Sequence, residues 1–252
     1  MSSLVPLDPS LPPFLQPYLP RDVSDSSFPF ILLTWAQSLD SRISLEPGVQ
    51  TIISSKQTKT MTHYIRTQFS GILIGIGTFL ADDPGLNCRY GNANSIRPII
   101  VDPHFRSREK LKTSRLVRQV NEKTGLVPII LIDENLKDSV CSLGDFLKGT
   151  VQLEFLPTDN SGRFNWTRLF QRVRSIGIGS VMVEGGGSII NNLLLSKREN
   201  GEPIIDAIVV TIGPRFLGAK GTEVSPLHSV ELKDRKWWAG DCGDAVFAGR
   251  VA

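Results

Sequence analysis

The sequence predicts an α/β domain with a mostly parallel β-sheet that is covered by helices on both faces. Short apolar runs rich in Ile, Val and Leu alternate along the chain with segments of helical pattern. The runs are nearly continuous, without intervening polar residues, which is typical of parallel strands buried on both faces. No internal repeat and no interdomain linker occur after residue 27, so we expect residues 28–252 to form one domain.

The first 27 residues differ in composition from the rest of the chain. They contain six prolines: Pro6, Pro9, Pro12, Pro13, Pro17 and Pro20. Because proline fixes φ and has no backbone N–H group, residues 1–27 are expected to form an extended arm, not a helix or a central strand. Four apolar side chains indicate that this arm packs along the domain or along a partner subunit: Phe14, Leu15, Tyr18 and Leu19.

Apolar runs predict eight strands in the main domain. In chain order they are FPFILLTWA (28–36), GILIGIG (71–77), RPIIVD (97–102), VPIILID (127–133), VQLEFLP (151–157), SVMVE (180–184), DAIVVTIG (206–213) and AVFAGRV (245–251). The last of these is expected at an edge of the sheet. The segments between them predict helices near residues 56–69, 108–119, 142–148, 165–176 and 188–198.

The charge balance argues against a nucleic-acid-binding protein. The chain has 28 basic and 25 acidic residues, a net charge of +3, and no cluster of Lys and Arg interleaved with aromatic residues. No uninterrupted apolar segment of about 18 residues could span a bilayer, and no signal peptide is recognisable. We therefore expect a cytoplasmic protein that binds neither nucleic acid nor membranes.

The cysteines and histidines form no recognisable disulfide or metal motif. The three cysteines are far apart and include no CxxC pair: Cys88, Cys141 and Cys242. The histidines are equally scattered: His63, His104 and His228. We interpret them as surface residues or as structural residues with satisfied hydrogen bonds. The sequence therefore predicts a protein without a metal site, in a reducing compartment.

The segment VEGGGS (183–188) places three consecutive glycines between a strand and a helix. With Ser188 as N-cap of a helix that starts at Ile189, backbone N–H groups and the helix dipole would favour a phosphate at this turn. The Rossmann fingerprint does not fit, because Ile190 stands where its third glycine belongs. The segment is therefore either a dinucleotide site on another kind of sheet or a plain strand–helix turn.

The segment from Arg66 to Arg89 holds a second group of polar residues. Thr78 and Asp82 are four positions apart, on one face of a short helical segment, where a hydroxyl and a carboxylate could bind a ribose or an amide. The alternative is a short helix with Thr78 as its N-cap. The two flanking arginines suit bidentate binding of a phosphate.

A third polar group, Ser38 to Arg42, follows the first predicted strand with the sequence SLDSR. Ligands of open α/β sheets bind at the carboxyl ends of strands, which is where this group is expected. By itself the segment is only a turn.

Five motifs in this order resemble the riboflavin-pathway reductases of the dihydrofolate-reductase-like fold: SLDSR, GIGTFLADDPGLNCR, RPIIVD, VEGGGS and PRFLG. Such reductases form the C-terminal half of a bacterial bifunctional deaminase–reductase and also occur as stand-alone fungal enzymes. The resemblance covers residues 28–252. One departure is Ser41, where the family usually has glycine. The proline-rich arm lies outside the bacterial pattern and resembles the fungal type.

The resemblance implies a homodimeric enzyme that uses NADPH to reduce 2,5-diamino-6-ribosylamino-4(3H)-pyrimidinone 5′-phosphate. Hydride would go to C1′ of the ring-opened imine, and the nearest candidate for a general acid is Asp40. The implied cofactor-binding residues are Ile52, Thr78, Asp82, Gly185, Gly186, Gly187 and Ser188. The implied substrate-binding residues are Arg42, Arg66, Leu86, Arg89 and Glu184, with the arginines Arg66 and Arg89 near the 5′-phosphate.

Two other functions stay open at this point. One is a dihydrofolate-reductase-like enzyme with another substrate, against which the paired arginines of the second group argue. The other is a non-catalytic nucleotide-binding regulator. A zinc deaminase is excluded, because the chain has neither an H-x-E nor a P-C-x-x-C motif.

Overall fold

A nine-stranded sheet forms the centre of the computed structural model, which describes residues 4–21, 26–91, 96–141 and 148–252. The strands are β1 Phe30–Gln37, β2 Gly71–Gly75, β3 Arg97–Val101, β4 Ile129–Asp133, β5 Gln152–Leu156, β6 Ser180–Gly185, β7 Ala207–Ile212, β8 Leu232–Ala239 and β9 Ala245–Val251. Their order is β5-β4-β3-β2-β6-β1-β7-β9-β8. The first seven in this order are parallel, and β9 and β8 are antiparallel. The predicted mostly parallel sheet is confirmed.

The helices are α1 Leu11–Leu15, α2 Lys56–Arg66, α3 Ile76–Asp82, α4 Arg108–Leu111, α5 Arg115–Asn121, α6 Lys137–Cys141, α7 Trp166–Ser175 and α8 Gly187–Leu195. Short 3-10 turns cover Gln16–Tyr18 and Glu134–Leu136. The helix predicted at 108–119 is two helices, because Ser114 adopts an extended backbone and its side chain caps α5 by accepting from Val117 N–H. The helix predicted at 142–148 lies outside the described residues, apart from Lys148.

The sheet separates two apolar cores, and helices pack on both of its faces as predicted. Alternate residues of one strand point to opposite faces: Leu32 of β1 belongs to one core, and Ile31 and Leu33 belong to the other. Helices α1 to α5 contribute buried side chains to the first core, and α7 and α8 contribute to the second. Burial of both faces explains why the strand sequences are apolar throughout.

Polar contacts fix the start of α2, the helix that ends at Arg66. Ser55 caps it by accepting from Thr58 N–H. The buried carboxylate of Asp244 accepts from the backbone N–H of Ser55 at 2.7 Å and from the hydroxyl of Thr58. The segment that leads into β9 therefore anchors the amino end of α2.

The expectation that β9 lies at an edge of the sheet is wrong. β9 pairs with β7 on one side and with β8 on the other, so β8 is the edge strand. β8 was not predicted from the sequence, because its residues are mostly exposed and the run LKDRKWWA contains four charged side chains. Its pairing with β9 is interrupted between Lys233 and Lys236, where Asp234 has a positive φ of 50°. Charge and a bulge are common at edge strands, where they discourage further pairing.

The expectation that the proline-rich arm lacks a helix is also wrong. Residues Leu11–Leu15 form a helical turn whose first positions hold the prolines. Proline is tolerated there, because its fixed φ suits the first helical turn and its missing N–H would have no partner. The expected packing along the domain is confirmed, since Leu11, Leu15 and Tyr18 are almost fully buried in the first core.

We predict that Leu15→Ala lowers the free energy of unfolding by about 2–5 kcal/mol, because it removes a fully buried side chain. Urea unfolding monitored by circular dichroism measures the change. The neighbouring exposed residue supplies the control, since Gln16→Ala should change stability by less than about 0.5 kcal/mol. Equal stabilities of the two variants would show that this segment does not contribute to the core.

Candidate active site

The strand order places the end of β6 at the centre of the sheet. β6 lies between β1 and β2, and all three run parallel. The helices on its two sides pack on opposite faces, since α2 precedes β2 on one face and α8 follows β6 on the other. Such a change of face marks the crevice where ligands of open α/β sheets bind. The three polar groups predicted from sequence all follow these strands.

The turn from β6 to α8 depends on two glycines with left-handed backbones. Gly185 has φ 70° and Gly186 has φ 103°, values that residues other than glycine rarely adopt. Gly186 is the N-cap and α8 begins at Gly187, so the expectation of Ser188 as N-cap is wrong. Ser188 lies exposed in the first turn of α8. The glycines allow the helix to begin two residues earlier than predicted.

Thr78 of α3 lies directly against this turn. Its hydroxyl donates to the carbonyl oxygen of Gly185 at 3.3 Å. A Cβ atom on Gly186 would lie 2.9 Å from Thr78 Oγ1, which is too close for an ordinary contact. The N-cap of α3 is Gly75, so Thr78 lies inside the helix and is not its cap. Asp82 is half-buried at the end of the same helix, and burial raises its pKa.

Glu184 and Arg66 form a bidentate ion pair between β6 and the end of α2. Arg66 Nε and Nη2 donate to the two carboxylate oxygens at 2.8 and 2.6 Å, and Nη1 donates to the carbonyl of Asn87 at 2.8 Å. The register of β6 against β2 shifts at Glu184, because Leu73 pairs with Val183 and Ile74 pairs with Gly185. Glu184 is the extra residue of this bulge and has no partner in β2. Bulges are common beside active sites, where they redirect a side chain.

Arg89 contacts the buried ring of His63. His63 lies on α2, one helical turn before Arg66. The guanidinium Nε and Nη2 lie 3.1 and 2.8 Å from His63 Nε2. Burial, followed by the positive charges of Arg66, Arg89 and Lys59, lowers the pKa of His63 to about 3. The imidazole is therefore neutral at physiological pH, which agrees with its interpretation as a structural histidine.

The SLDSR turn adopts a backbone suited to glycine even though it has serine. Ser41 has φ 59°, in the left-handed region. The turn directs Arg42 to Glu223 at 2.8 Å and to the carbonyl of Gly221 at 3.2 Å. Arg42 Nε is buried and has no hydrogen-bond partner in the part of the chain that the structure describes.

Asp40 holds two distant segments of the chain together. Its carboxylate accepts backbone N–H bonds from Leu217 at 3.0 Å and from Gly218 at 2.7 Å, and a further bond from the hydroxyl of Ser38. These hydrogen bonds, with that of Ser38 the largest cause, lower the pKa of Asp40 to about 2. The SLDSR and PRFLG motifs therefore form one structural unit, in which Asp40 is ionised at neutral pH.

The remaining two predicted residues lie in different surroundings. Leu86 is 3 % exposed, has φ 44° and belongs to the first core, so its side chain is mainly a packing group. Ile52 is 80 % exposed, and Arg215 Nη1 donates to its carbonyl oxygen at 3.1 Å. The Ile52 loop is thereby joined to the segment that follows β7.

Sequence reasoning missed three residues that complete these contacts. His63, Asn87 and Glu223 hold Arg89, Arg66 and Arg42, respectively. Only His63 had a usable signal, because its spacing of three from Arg66 places both on one face of α2. Asn87 acts through its backbone carbonyl, and Glu223 is far away in sequence.

The described part of the chain contains no group of three His, Cys, Asp or Glu side chains able to hold a metal. Across the same residues, no helix has the length and apolar character needed to cross a bilayer.

Comparison with known proteins identifies the class of this fold and site. The RibD C-terminal domain model matches residues 29–246, and the chain belongs to that family. The 2,5-diamino-6-ribosylamino-4(3H)-pyrimidinone 5′-phosphate reductase of Debaryomyces hansenii is 48 % identical over 257 residues, covering 99 % of each chain. The enzyme of the same name from Saccharomyces cerevisiae is 41 % identical, with 99 % of each chain covered. A solved structure of Saccharomyces riboflavin biosynthesis reductase Rib7 matches with a TM-score of 0.78 and 38 % identity, covering 96 % of this chain and all of that one.

The neutral state of His63 predicts a pH-dependent stability. Between about pH 6.5 and pH 3 the unfolded chain binds a proton at His63 that the folded chain does not bind, so stability falls as the pH falls. His63→Gln lacks this group, so the stability of wild type relative to His63→Gln should decrease between about pH 7 and pH 4. Urea unfolding of both proteins across this range measures the difference. Parallel curves would contradict the neutral assignment.

Proposed function

We propose that this protein is a riboflavin-pathway reductase that uses NADPH to reduce 2,5-diamino-6-ribosylamino-4(3H)-pyrimidinone 5′-phosphate at C1′ of its ring-opened sugar. The observation that carries this proposal is the similarity, over nearly the whole length of both chains, to reductases named for that substrate. The arrangement supports it, since the segment from Arg66 to Arg89 contacts the VEGGGS motif at the end of the central strand β6. The chemistry is hydride transfer to an imine, for which no protein nucleophile is needed.

The residues of the β6–α8 turn fit a dinucleotide cofactor. α8 has nine residues, and its amino end carries no acidic side chain in the first turn that would repel a phosphate. Gly185 and Gly187 are buried against Ile190 and Thr222, whereas Gly186 is partly exposed. We therefore propose that a pyrophosphate approaches the backbone at Gly186 and the amino end of α8. Thr78 and Asp82 lie on the adjacent helix α3 and would contact the nicotinamide half of the cofactor. Bound NADPH would supply the hydride.

The substrate would lie on the other side of Glu184, near the arginines. Arg89 and Arg66 are proposed to face its 5′-phosphate, and Arg42 its sugar. Glu184 is held rigidly by two charge-assisted hydrogen bonds from Arg66, which orient it toward the site. Orientation of the two reactants is then the main contribution of the protein to the rate.

Asp40 is proposed as an anchor of the site and not as its proton donor. A proton donor must hold a proton at the pH of the reaction, and the pKa of Asp40 is about 2. Its hydrogen bonds to the PRFLG segment instead fix the position of Arg42, two residues later. A homodimeric state and a cytoplasmic location are further proposals that rest on the family resemblance.

The proposed function predicts that purified protein oxidises NADPH only when the ribosylaminopyrimidinone phosphate is present. Loss of the near-ultraviolet absorbance of NADPH measures the reaction, and mass spectrometry should detect a ribitylamino product two hydrogens heavier than the substrate. Dihydrofolate is the control substrate and should give no reaction. Folded protein that leaves NADPH unchanged with authentic substrate would refute the proposal.

The cofactor proposal predicts that Gly186→Val abolishes NADPH binding, because a side chain there meets Thr78 and occupies the space proposed for the pyrophosphate. Calorimetric titration with NADPH, beside a thermal melt, measures both effects. Gly201→Val is the matched control, since Gly201 also has a positive φ, 82°, but a Cβ there meets nothing within 4 Å. The control should lose stability through backbone strain and keep NADPH affinity. Unchanged affinity in folded Gly186→Val would make VEGGGS a plain turn.

A further inference from the structure

His63 is the buried member of the three histidines, whereas His104 and His228 are exposed. It is 4 % exposed and lies on α2, and both of its ring nitrogens face Arg89. The backbone N–H of Arg89 faces Nδ1 at 3.2 Å, and the guanidinium faces Nε2 through two nitrogens. Because both ring nitrogens contact the same arginine, the ring does more than fill space in the core.

The geometry of these contacts favours a neutral ring. Both ring nitrogens face N–H groups of Arg89, and a protonated imidazole would direct an N–H group at each of these donors. A neutral ring instead offers one nitrogen as an acceptor, which we assign to Nε2, because two atoms of a charged group contact it. The ring proton then lies on Nδ1, at the longer contact of 3.2 Å with the backbone nitrogen of Arg89. After burial, the charges that lower the pKa of His63 are all positive and belong to Arg66, Arg89 and Lys59.

The two arginines of this region are held by partners of different charge. Arg66 pairs with the carboxylate of Glu184, which balances its charge. Arg89 is held by an uncharged ring, and among the described residues no carboxylate forms an ion pair with it. Arg115, exposed at the start of α5, lies close enough to contribute, after burial and Arg66, to a lowered pKa of Arg89. The surroundings of Arg89 are therefore positive.

We propose that His63 is a positioning residue that aims the guanidinium of Arg89 at the phosphate group of the substrate without neutralising it. The inference rests on the proposed function and deepens it. A carboxylate in place of His63 would also orient Arg89, but its charge would oppose that of the phosphate. A buried imidazole orients the arginine and preserves the attraction. Nη1 of Arg89 makes no hydrogen bond within the described residues and is available to the phosphate.

Three substitutions of His63 separate orientation from charge. His63→Gln retains an uncharged acceptor and should keep the KM of the substrate within about threefold of wild type. His63→Ala removes the acceptor and should raise KM about tenfold with little change in kcat. This pattern is expected when a mutation removes an interaction that binds the ground state and the transition state equally. His63→Glu retains an acceptor but adds a charge, and should raise KM more than His63→Ala does.

The controls distinguish positioning from a structural role. Affinity for NADPH should be unchanged in all three variants, and His228→Ala should behave as wild type. In an Arg89→Ala background, His63→Ala should raise KM no further, because the effect of His63 passes through Arg89. An unchanged KM in His63→Ala, a His63→Glu enzyme equal to His63→Gln, or additive effects with Arg89→Ala would overturn the proposal.

Two measurements do not depend on turnover, and the first of them needs no variant. Titration of wild type by NMR should find the His63 ring neutral at pH values near 7, and a protonated ring there would overturn the proposal. Calorimetry with ribose 5-phosphate should show weaker binding to His63→Ala than to wild type. Equal binding, or none by wild type, would overturn it. If wild type binds ribose 5-phosphate but oxidises no NADPH with the pyrimidinone substrate, the proposed function fails and the role of His63 stands.

Discussion

The left-handed turn at Gly185 and Gly186 is the constraint on which the candidate site depends. β6 runs through the centre of the sheet, so the way it ends decides what can lie over the carboxyl ends of β1 and β2. The two positive φ angles end the strand abruptly and start α8 at Gly187. This brings the backbone against Thr78 on one side and leaves Glu184, on the preceding bulge, paired with Arg66 on the other. One turn thereby joins the proposed cofactor and substrate regions.

The charged side chains around this turn are held in three different ways, and each has its own consequence. Arg66 and Glu184 neutralise each other and link α2 to β6. Asp40 accepts backbone hydrogen bonds and joins two loops, so it is ionised and engaged. Arg89 is fixed by a neutral ring and keeps its charge. Prearranged charged groups of this kind suit the proposed reaction, in which a cofactor supplies the hydride and the protein orients the reactants.

Much of the fold could be predicted because the sheet is buried on both faces. That burial makes the strand sequences apolar throughout, and all eight predicted strands are present within a few residues. The prediction failed where burial does not control the sequence. β8 is an exposed, charged edge strand without an apolar run, and the helix of the proline-rich arm is stabilised by packing of Leu11 and Leu15 against the domain. The local helix and strand propensities of a sequence contain no information about the pairing of an edge strand or about packing against the rest of the domain.

The sequence by itself determined the α/β class, the mostly parallel sheet and the three polar segments that follow its central strands, because these depend on hydrophobic pattern and on residue types such as consecutive glycines. Only the tertiary structure decided which partner each polar group has. It paired Arg66 with Glu184, gave Asp40 to the PRFLG segment and set His63 behind Arg89. These partners are 26 to 178 residues apart in the chain. Their contacts arise from strand order and helix packing, which no local pattern contains.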